Sequence, residues 1–297
     1  MTDYILDEQQ GHEAWWGLHR AQTWQLQAED GASFALTCVS PGRSANKAPV
    51  IFLPGMFSNR HFWISPKGVG LAGYLAEQGH SCWLVERRGT GQSPRRQPAR
   101  AGLEEAVQHD LPMVQRAVAR VVDRPAYWIG HSFGGVSIAL SAARHLDPDL
   151  IGGLVLIASQ FEVDKPMLRW PGRLFTQGVS RITGRFPARR FGLGPEDEPA
   201  AAMDDACRWT TRAQSSLDLQ AELAAVNCRV LALAGGADKV DPPAGCERFI
   251  RHMSGPHREF RLAARAEGFA VDYDHPGIVV SKSAAREIWP LVGDWLA

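Results

Sequence analysis

A chain of 297 residues with 45% hydrophobic content is long enough for one large domain or two small ones, with an ordinary globular composition. Its 32 Lys and Arg residues balance 32 Asp and Glu, so no net field favours a nucleic acid or an anionic membrane as partner. The five cysteines (Cys38, Cys82, Cys207, Cys228, Cys246) are odd in number, scattered and without a C-x-x-C pair, which reads as reduced thiols in a reducing compartment.

Met1–Gln10 is polar and acidic, without the basic start and apolar stretch of a signal peptide. No apolar run approaches a membrane span. The expected location is the cytoplasm. Nothing in the pattern specifies an oligomeric state.

In chain order, Trp24–Ala28 and Ser33–Ser40 read as strands joined by the hairpin signal Glu29-Asp30-Gly31. Pro49–Leu53 is a buried strand ended by Pro54-Gly55. Gly70–Gln78 is helical and stops at Gly79. Ser81–Val85 is a strand, followed by the polar loop Glu86–Pro94. A helical stretch runs from about Leu103 to Val122, with Asp110 and Pro112 marking a restart. Ala126–Ile129 is a strand, Gly134–Leu146 a helix of small residues, and Gly153–Ala158 a further strand. Residues 160–225 break the pattern, being rich in Arg, Gly and Pro without a clear strand. Alternation resumes with Arg229–Ala234, Pro242–Met253 and Glu259–Ala263, and Ser281–Leu296 is amphipathic with Pro290 interrupting it.

Strands alternating with helices predict an α/β fold. The expectation is a mostly parallel twisted sheet of about eight strands, helices on both faces and an antiparallel edge from the first hairpin. Residues 1–159 and 226–297 would form the sheet domain, and 160–225 an inserted, mainly helical cap.

Gly130-His131-Ser132-Phe133-Gly134 fits the pattern G-x-S-x-G. The bare pattern is weak, but here a strand runs into it and a helix leaves it. That context demands a sharp turn with an exposed serine at its apex. A serine needs a base to attack near neutral pH. His252 and His257 sit in a polar stretch at a helix end. His275, in a loop between the last strand and the last helix, is better placed to reach over the sheet edge.

Asp238, Asp241, Asp272 and Asp274 compete to orient His275. Asp238 follows Arg229–Ala234 through Gly235-Gly236-Ala237 at the correct edge. Asp241, before Pro242-Pro243, looks like a helix N-cap. Asp272 and Asp274 are too close to His275 in sequence, and Glu162 is a remote candidate. An oxyanion needs donors fixed in advance. The N–H groups of Phe133 and Met56 are the candidates, with Gly55 permitting close backbone approach.

At this point the chain resembles the acid-lipase branch of the α/β-hydrolases. The matching pieces are Glu29-Asp30-Gly31, Pro54-Gly55-Met56, Leu71-Ala72-Gly73-Tyr74-Leu75-Ala76 with Gly79, Cys82-Trp83-Leu84 and Arg88-Gly89-Thr90-Gly91-Gln92-Ser93. Asp110-Leu111-Pro112, the serine motif, Gly235-Gly236-Ala237-Asp238 and Tyr273-Asp274-His275 complete the set. The resemblance implies Ser132 as nucleophile, His275 as base and Asp238 as its orienting acid. Pro54 departs from it, standing where that branch has a histidine in the oxyanion loop, and so does the lack of a secretory signal.

The remaining features have plainer readings. His131 points away from the expected site and serves packing or a local hydrogen bond. Glu86-Arg87-Arg88-Gly89 fixes a loop through charge pairs, and Trp15, Trp16 and Trp24 are core or cover. Arg169, Arg173, Arg181, Arg185, Arg189 and Arg190 form a solvated stripe partly neutralised by Glu196, Asp197 and Glu198. Apolar residues among them suggest a cap over an apolar pocket, with Phe57, Phe161, Trp170 and Phe175 as candidate lining. The expected reaction is hydrolysis of a carboxylic ester with an apolar acyl part, with no cofactor and no metal. Thioester hydrolysis or acyl transfer would use the same groups, and a non-catalytic ligand-binding protein on this fold is the alternative of another class.

Overall fold

The structure is a computed structural model describing residues 11–40, 45–163, 165–211 and 214–297. Met1–Gln10, read above for a targeting signal, lies outside the described residues.

Strands β1 (His12–Trp16), β2 (His19–Gln27) and β3 (Ser33–Ser40) form an antiparallel meander at one edge. The β2–β3 turn closes where Asp30 Oδ1 accepts from the Ala32 N–H at 3.2 Å and Gly31 takes φ +84°, a left-handed conformation that costs glycine little. β4 (Val50–Leu53), α1 (Leu71–Glu77), β5 (Cys82–Glu86), α2 (Leu103–Glu105), α3 (Leu111–Val121), β6 (Ala126–His131), α4 (Phe133–Arg144) and β7 (Ile151–Ile157) then alternate. Between β7 and the next sheet strand come α5 (Gly172–Thr183), the short strands β8 (Arg185–Phe186) and β9 (Glu198–Pro199), α6 (Ala200–Thr210) and α7 (Gln214–Leu223). The chain closes with β10 (Val230–Gly235), α8 (Pro243–Arg251), β11 (Arg258–Ala263), α9 (Gly277–Val280) and α10 (Ala284–Leu296).

The main sheet has nine strands in the order β1-β2-β3-β5-β4-β6-β7-β10-β11, parallel from β5 through β11. One strand more than expected comes from β1, whose alternating burial and exposed Trp15 gave no clear apolar run. The central strands are apolar on both sides because both faces are covered. One face carries Val114 and Val118 of α3, Val136 and Leu140 of α4 and Phe249 of α8. The other carries Leu71 and Leu75 of α1 and Ile288 and Val292 of α10.

The expected restart falls at the start of α3, where Asp110 precedes Leu111 and Pro112 after a π-helical turn over Ala106–Asp110. The expected break at Pro290 is absent, since α10 runs through it.

Topology places the site. From β4 the chain moves outward to β5, then returns past β4 to lay down β6. At such a reversal the loops leaving the two strands diverge and open a crevice at their carboxyl ends. The loops after β4 and β6 are those that carry Met56 and Ser132.

Candidate active site

Ser132 joins β6 to α4 at φ +53° and ψ −130°, a strained conformation for a residue with a side chain. Its N–H donates to Ile157 O at 2.9 Å, and its C=O accepts from the Gly135 and Val136 N–H groups at 3.0 and 3.2 Å. The flanking glycines are there for room. A Cβ on Gly134 would lie 2.3 Å from Leu53 O, and one on Gly130 would lie 2.4 Å from Gly135 Cα. A side chain at Gly134 would push the turn away from the end of β4, and one at Gly130 would push the first turn of α4 off β6.

His275 arrives from the loop before α9. Asp274 Oδ1 accepts from the Gly277 N–H at 2.7 Å and so shapes this loop. Asp272 Oδ1 takes the Arg265 N–H at 3.0 Å. His275 Nδ1 lies 2.8 Å from Asp238 Oδ2. The other oxygen of Asp238 accepts the N–H groups of Val240 and Asp241, each at 2.8 Å, so the carboxylate is fixed by its own loop. With Nδ1–H donating to Asp238, Nε2 is the ring's free acceptor. Of the competing carboxylates, Asp238 is the one that meets Nδ1.

Asp241 occupies a place the sequence does not reveal. Pro242 stands at the cap of α8, and no side chain caps that helix. The Asp241 carboxylate instead turns to the serine: Ser132 Oγ donates to Asp241 Oδ2 at 2.9 Å, and that oxygen lies 3.8 Å from His275 Nε2. Its other oxygen pairs with Lys165 Nζ, and this ammonium also sits 5.2 Å from the centroid of the Phe133 ring. Serine, imidazole, two carboxylates and one ammonium thus converge in a largely buried site. Lys165 had no signal of its own, being one cation in an irregular arginine-rich stretch.

His131 stands closer to this group than expected. Its ring lies 4.4 Å from the His275 ring, and its Nε2 is 2.9 Å from the His275 carbonyl oxygen. Burial first, and then the neighbouring His275, hold His131 well below the usual imidazole range, so it is a neutral donor that supports the base from behind.

The loop after β4 runs against the serine, since a Cβ on Gly55 would come 3.0 Å from Ser132 Cβ. Among the described residues, neither the Met56 nor the Phe133 N–H donates to a protein acceptor. Phe57, at φ +64°, packs against Phe186. Phe161 is fully buried against Phe249, while Trp170 and Phe175 face solvent at 74% and 57% exposure. Phe175 meets Phe191 edge-on, and Phe191 stacks on Phe186. Glu162 pairs with His252 at 2.7 Å, away from this group. Among the described residues no cluster of three His, Cys, Asp or Glu side chains could hold a metal ion.

A family model described as serine aminopeptidase, S33, matches residues 44–267. The chain belongs to this family of α/β-hydrolases. This match does not single out the acid-lipase branch. Solved structures share the fold at low identity. A thermophilic esterase from Thermogutta terrifontis superposes with a TM-score of 0.62 at 19% identity, covering 93% of this chain and 98% of that one. A soluble variant of monoglyceride lipase from Saccharomyces cerevisiae, in complex with a substrate analogue, gives 0.62 at 17% identity over 91% and 93%. The monoacylglycerol lipase of Paleococcus ferrophilus gives 0.58 at 16% identity over 89% and 98%. No curated protein matches this S33 chain in sequence.

Proposed function

We propose that the protein is a serine hydrolase that cleaves a carboxylic ester through an acyl-enzyme intermediate. The observation that carries this reading is Ser132 at the strained apex of a strand–turn–helix, beside an imidazole whose Nδ1 is held 2.8 Å from Asp238. The Ser132 hydroxyl swings from Asp241 to His275 Nε2 and gives up its proton there as Oγ attacks the substrate carbonyl carbon. The resulting oxyanion takes hydrogen bonds from the Met56 and Phe133 N–H groups. His275 then protonates the leaving alcohol. Water repeats the sequence with His275 as base and releases the acid. Asp238 keeps His275 in the Nδ1–H tautomer and stabilises the imidazolium.

An ester substrate is favoured over an amide because structural neighbours of this chain include an esterase and monoglyceride lipases. The shared motifs suggest an acid-lipase-like substrate with an apolar acyl part. Residues 160–225 act as the cap, with Lys165 as the point where the cap touches the chemistry. Five free thiols fit a cytoplasmic setting.

The test is turnover of p-nitrophenyl esters of increasing acyl length by wild type and Ser132→Ala. The reading expects a length-dependent rate for wild type and loss of at least about 10³-fold for the variant. Equal rates for the two proteins would refute it.

A further inference from the structure

Arg87 and Glu198 are almost wholly buried, and their side-chain hydrogen bonds run to each other and to one short piece of backbone. Arg87 Nη1 donates to the carbonyl oxygens of Pro54 at 3.0 Å and Gly55 at 2.8 Å. Its Nη2 donates to both oxygens of Glu198, at 3.0 and 2.9 Å. Glu198 Oε2 in turn accepts the Phe57 N–H at 2.8 Å. The carbonyl of Phe57 accepts the Glu196 N–H at 3.0 Å, and Glu196 Oε1 takes the Asn59 amide at 2.8 Å. The segment before α6 thus grips Phe57 by both of its backbone polar groups. Held this way, Phe57 keeps its left-handed φ of +64°.

The consequence follows from the planarity of the peptide bond. The Gly55 C=O and the Met56 N–H are the two ends of one trans peptide unit and point in opposite directions. Fastening the carbonyl to Arg87 therefore aims the Met56 N–H away from Arg87. Gly55 itself lies against Ser132, and the Met56 N–H has no protein acceptor among the described residues.

We infer that the buried Arg87–Glu198 pair is a positioning device for the oxyanion hole, setting the direction of the Met56 N–H through the 54–57 backbone. Neither side chain touches substrate. A preorganised donor is worth most when it needs no reorientation during the reaction, and this pair supplies that rigidity. Because Glu198 belongs to the 160–225 segment, the hole is complete only when that segment is seated. The inference rests on the hydrolase reading above, with Met56 as a donor.

The experiment compares wild type, Arg87→Lys and Glu198→Gln. Lysine keeps the charge but presents no planar fork to span two carbonyls and a carboxylate. Glutamine keeps the shape but weakens the charged link. The probe is an alkyl trifluoromethyl ketone. Ser132 Oγ bonds to its carbonyl carbon, the carbonyl oxygen becomes the oxyanion, and the serine proton passes to His275. Rates are normalised to the folded active fraction by titration with a fluorophosphonate, so partial unfolding does not imitate the effect.

Arg87→Lys should lose about 10- to 100-fold in kcat and in affinity for the ketone together, with KM within about threefold of wild type. Glu198→Gln should show the same pattern at smaller size. Normalised values equal to wild type, or a rise in KM with kcat unchanged, would overturn the inference. A wild type that neither hydrolyses esters nor binds the ketone would instead refute the hydrolase reading itself.

Discussion

The hydroxyl of Ser132 donates its hydrogen bond to Asp241, at 2.9 Å, and the same carboxylate oxygen stands 3.8 Å from His275 Nε2. Two aspartates therefore flank one imidazole. Asp238 takes Nδ1, while Asp241 sits on the side where the proton is exchanged.

Their roles should separate on mutation. Asp238→Asn turns a pure acceptor into a donor toward Nδ1 and so favours the wrong tautomer. It should lower kcat by about 10⁴-fold. Asp241→Asn keeps an acceptor for the serine and leaves the Asp238 contact intact, so the loss should be about tenfold. Steady-state ester hydrolysis on both variants reads the difference. Equal losses would mean the two carboxylates share one role.

Lys165 and Asp241 are both buried. Removing one partner leaves an uncompensated charge, so Lys165→Met should lose about 3–5 kcal/mol of stability in urea unfolding. Adding Asp241→Leu should recover most of it, since a buried pair replaced by apolar groups of similar volume is often neutral. Recovery of stability without activity is the expected outcome of the double change.

His131 gives the protein a pH dependence of known sign. Burial keeps it neutral in the folded state, whereas the unfolded chain takes up its proton near the ordinary 6.5. Its contribution is therefore complete above pH 6.5 and is lost as pH falls below it. His131→Phe keeps a ring against Phe62, 4.5 Å away. The stability gap between wild type and this variant should shrink by about 1 kcal/mol from pH 7.5 to 5.5.

The thiols should be inert. Burial pushes Cys38 up to about 12 and Cys207 and Cys228 up to about 11, and raises Cys82 and Cys246 well above the ordinary range. At pH 8 a disulfide reagent should react slowly with native protein and rapidly with five thiols in denaturant. Fast reaction of Cys82, Cys207 or Cys246 in the native state would contradict their burial.

Much of this architecture was legible because its signals are local. The central strands are short apolar runs with turn residues at their ends, and the serine turn writes its steric demands as glycines. Asp238 and His275 could be picked because each follows a strand at the same sheet edge. What depends on distant packing was not legible. Asp241 and Pro242 look like a helix start, and only the fold turns that carboxylate toward Ser132. Glu198 reads as one of three surface acids beside an arginine stripe. Asp197 does pair with Arg189 at the surface, but Glu198 is drawn inside by Arg87, 111 positions away.

The central claim is that Ser132 is a nucleophile activated by His275, and fluorophosphonate labelling tests it most directly. Intact-mass and peptide mapping on wild type, Ser132→Ala and His275→Ala should show one adduct on Ser132 in wild type, none in the serine variant and greatly slowed labelling in the histidine variant. Folded wild type that stays unlabelled, or an adduct on another residue, would contradict the account.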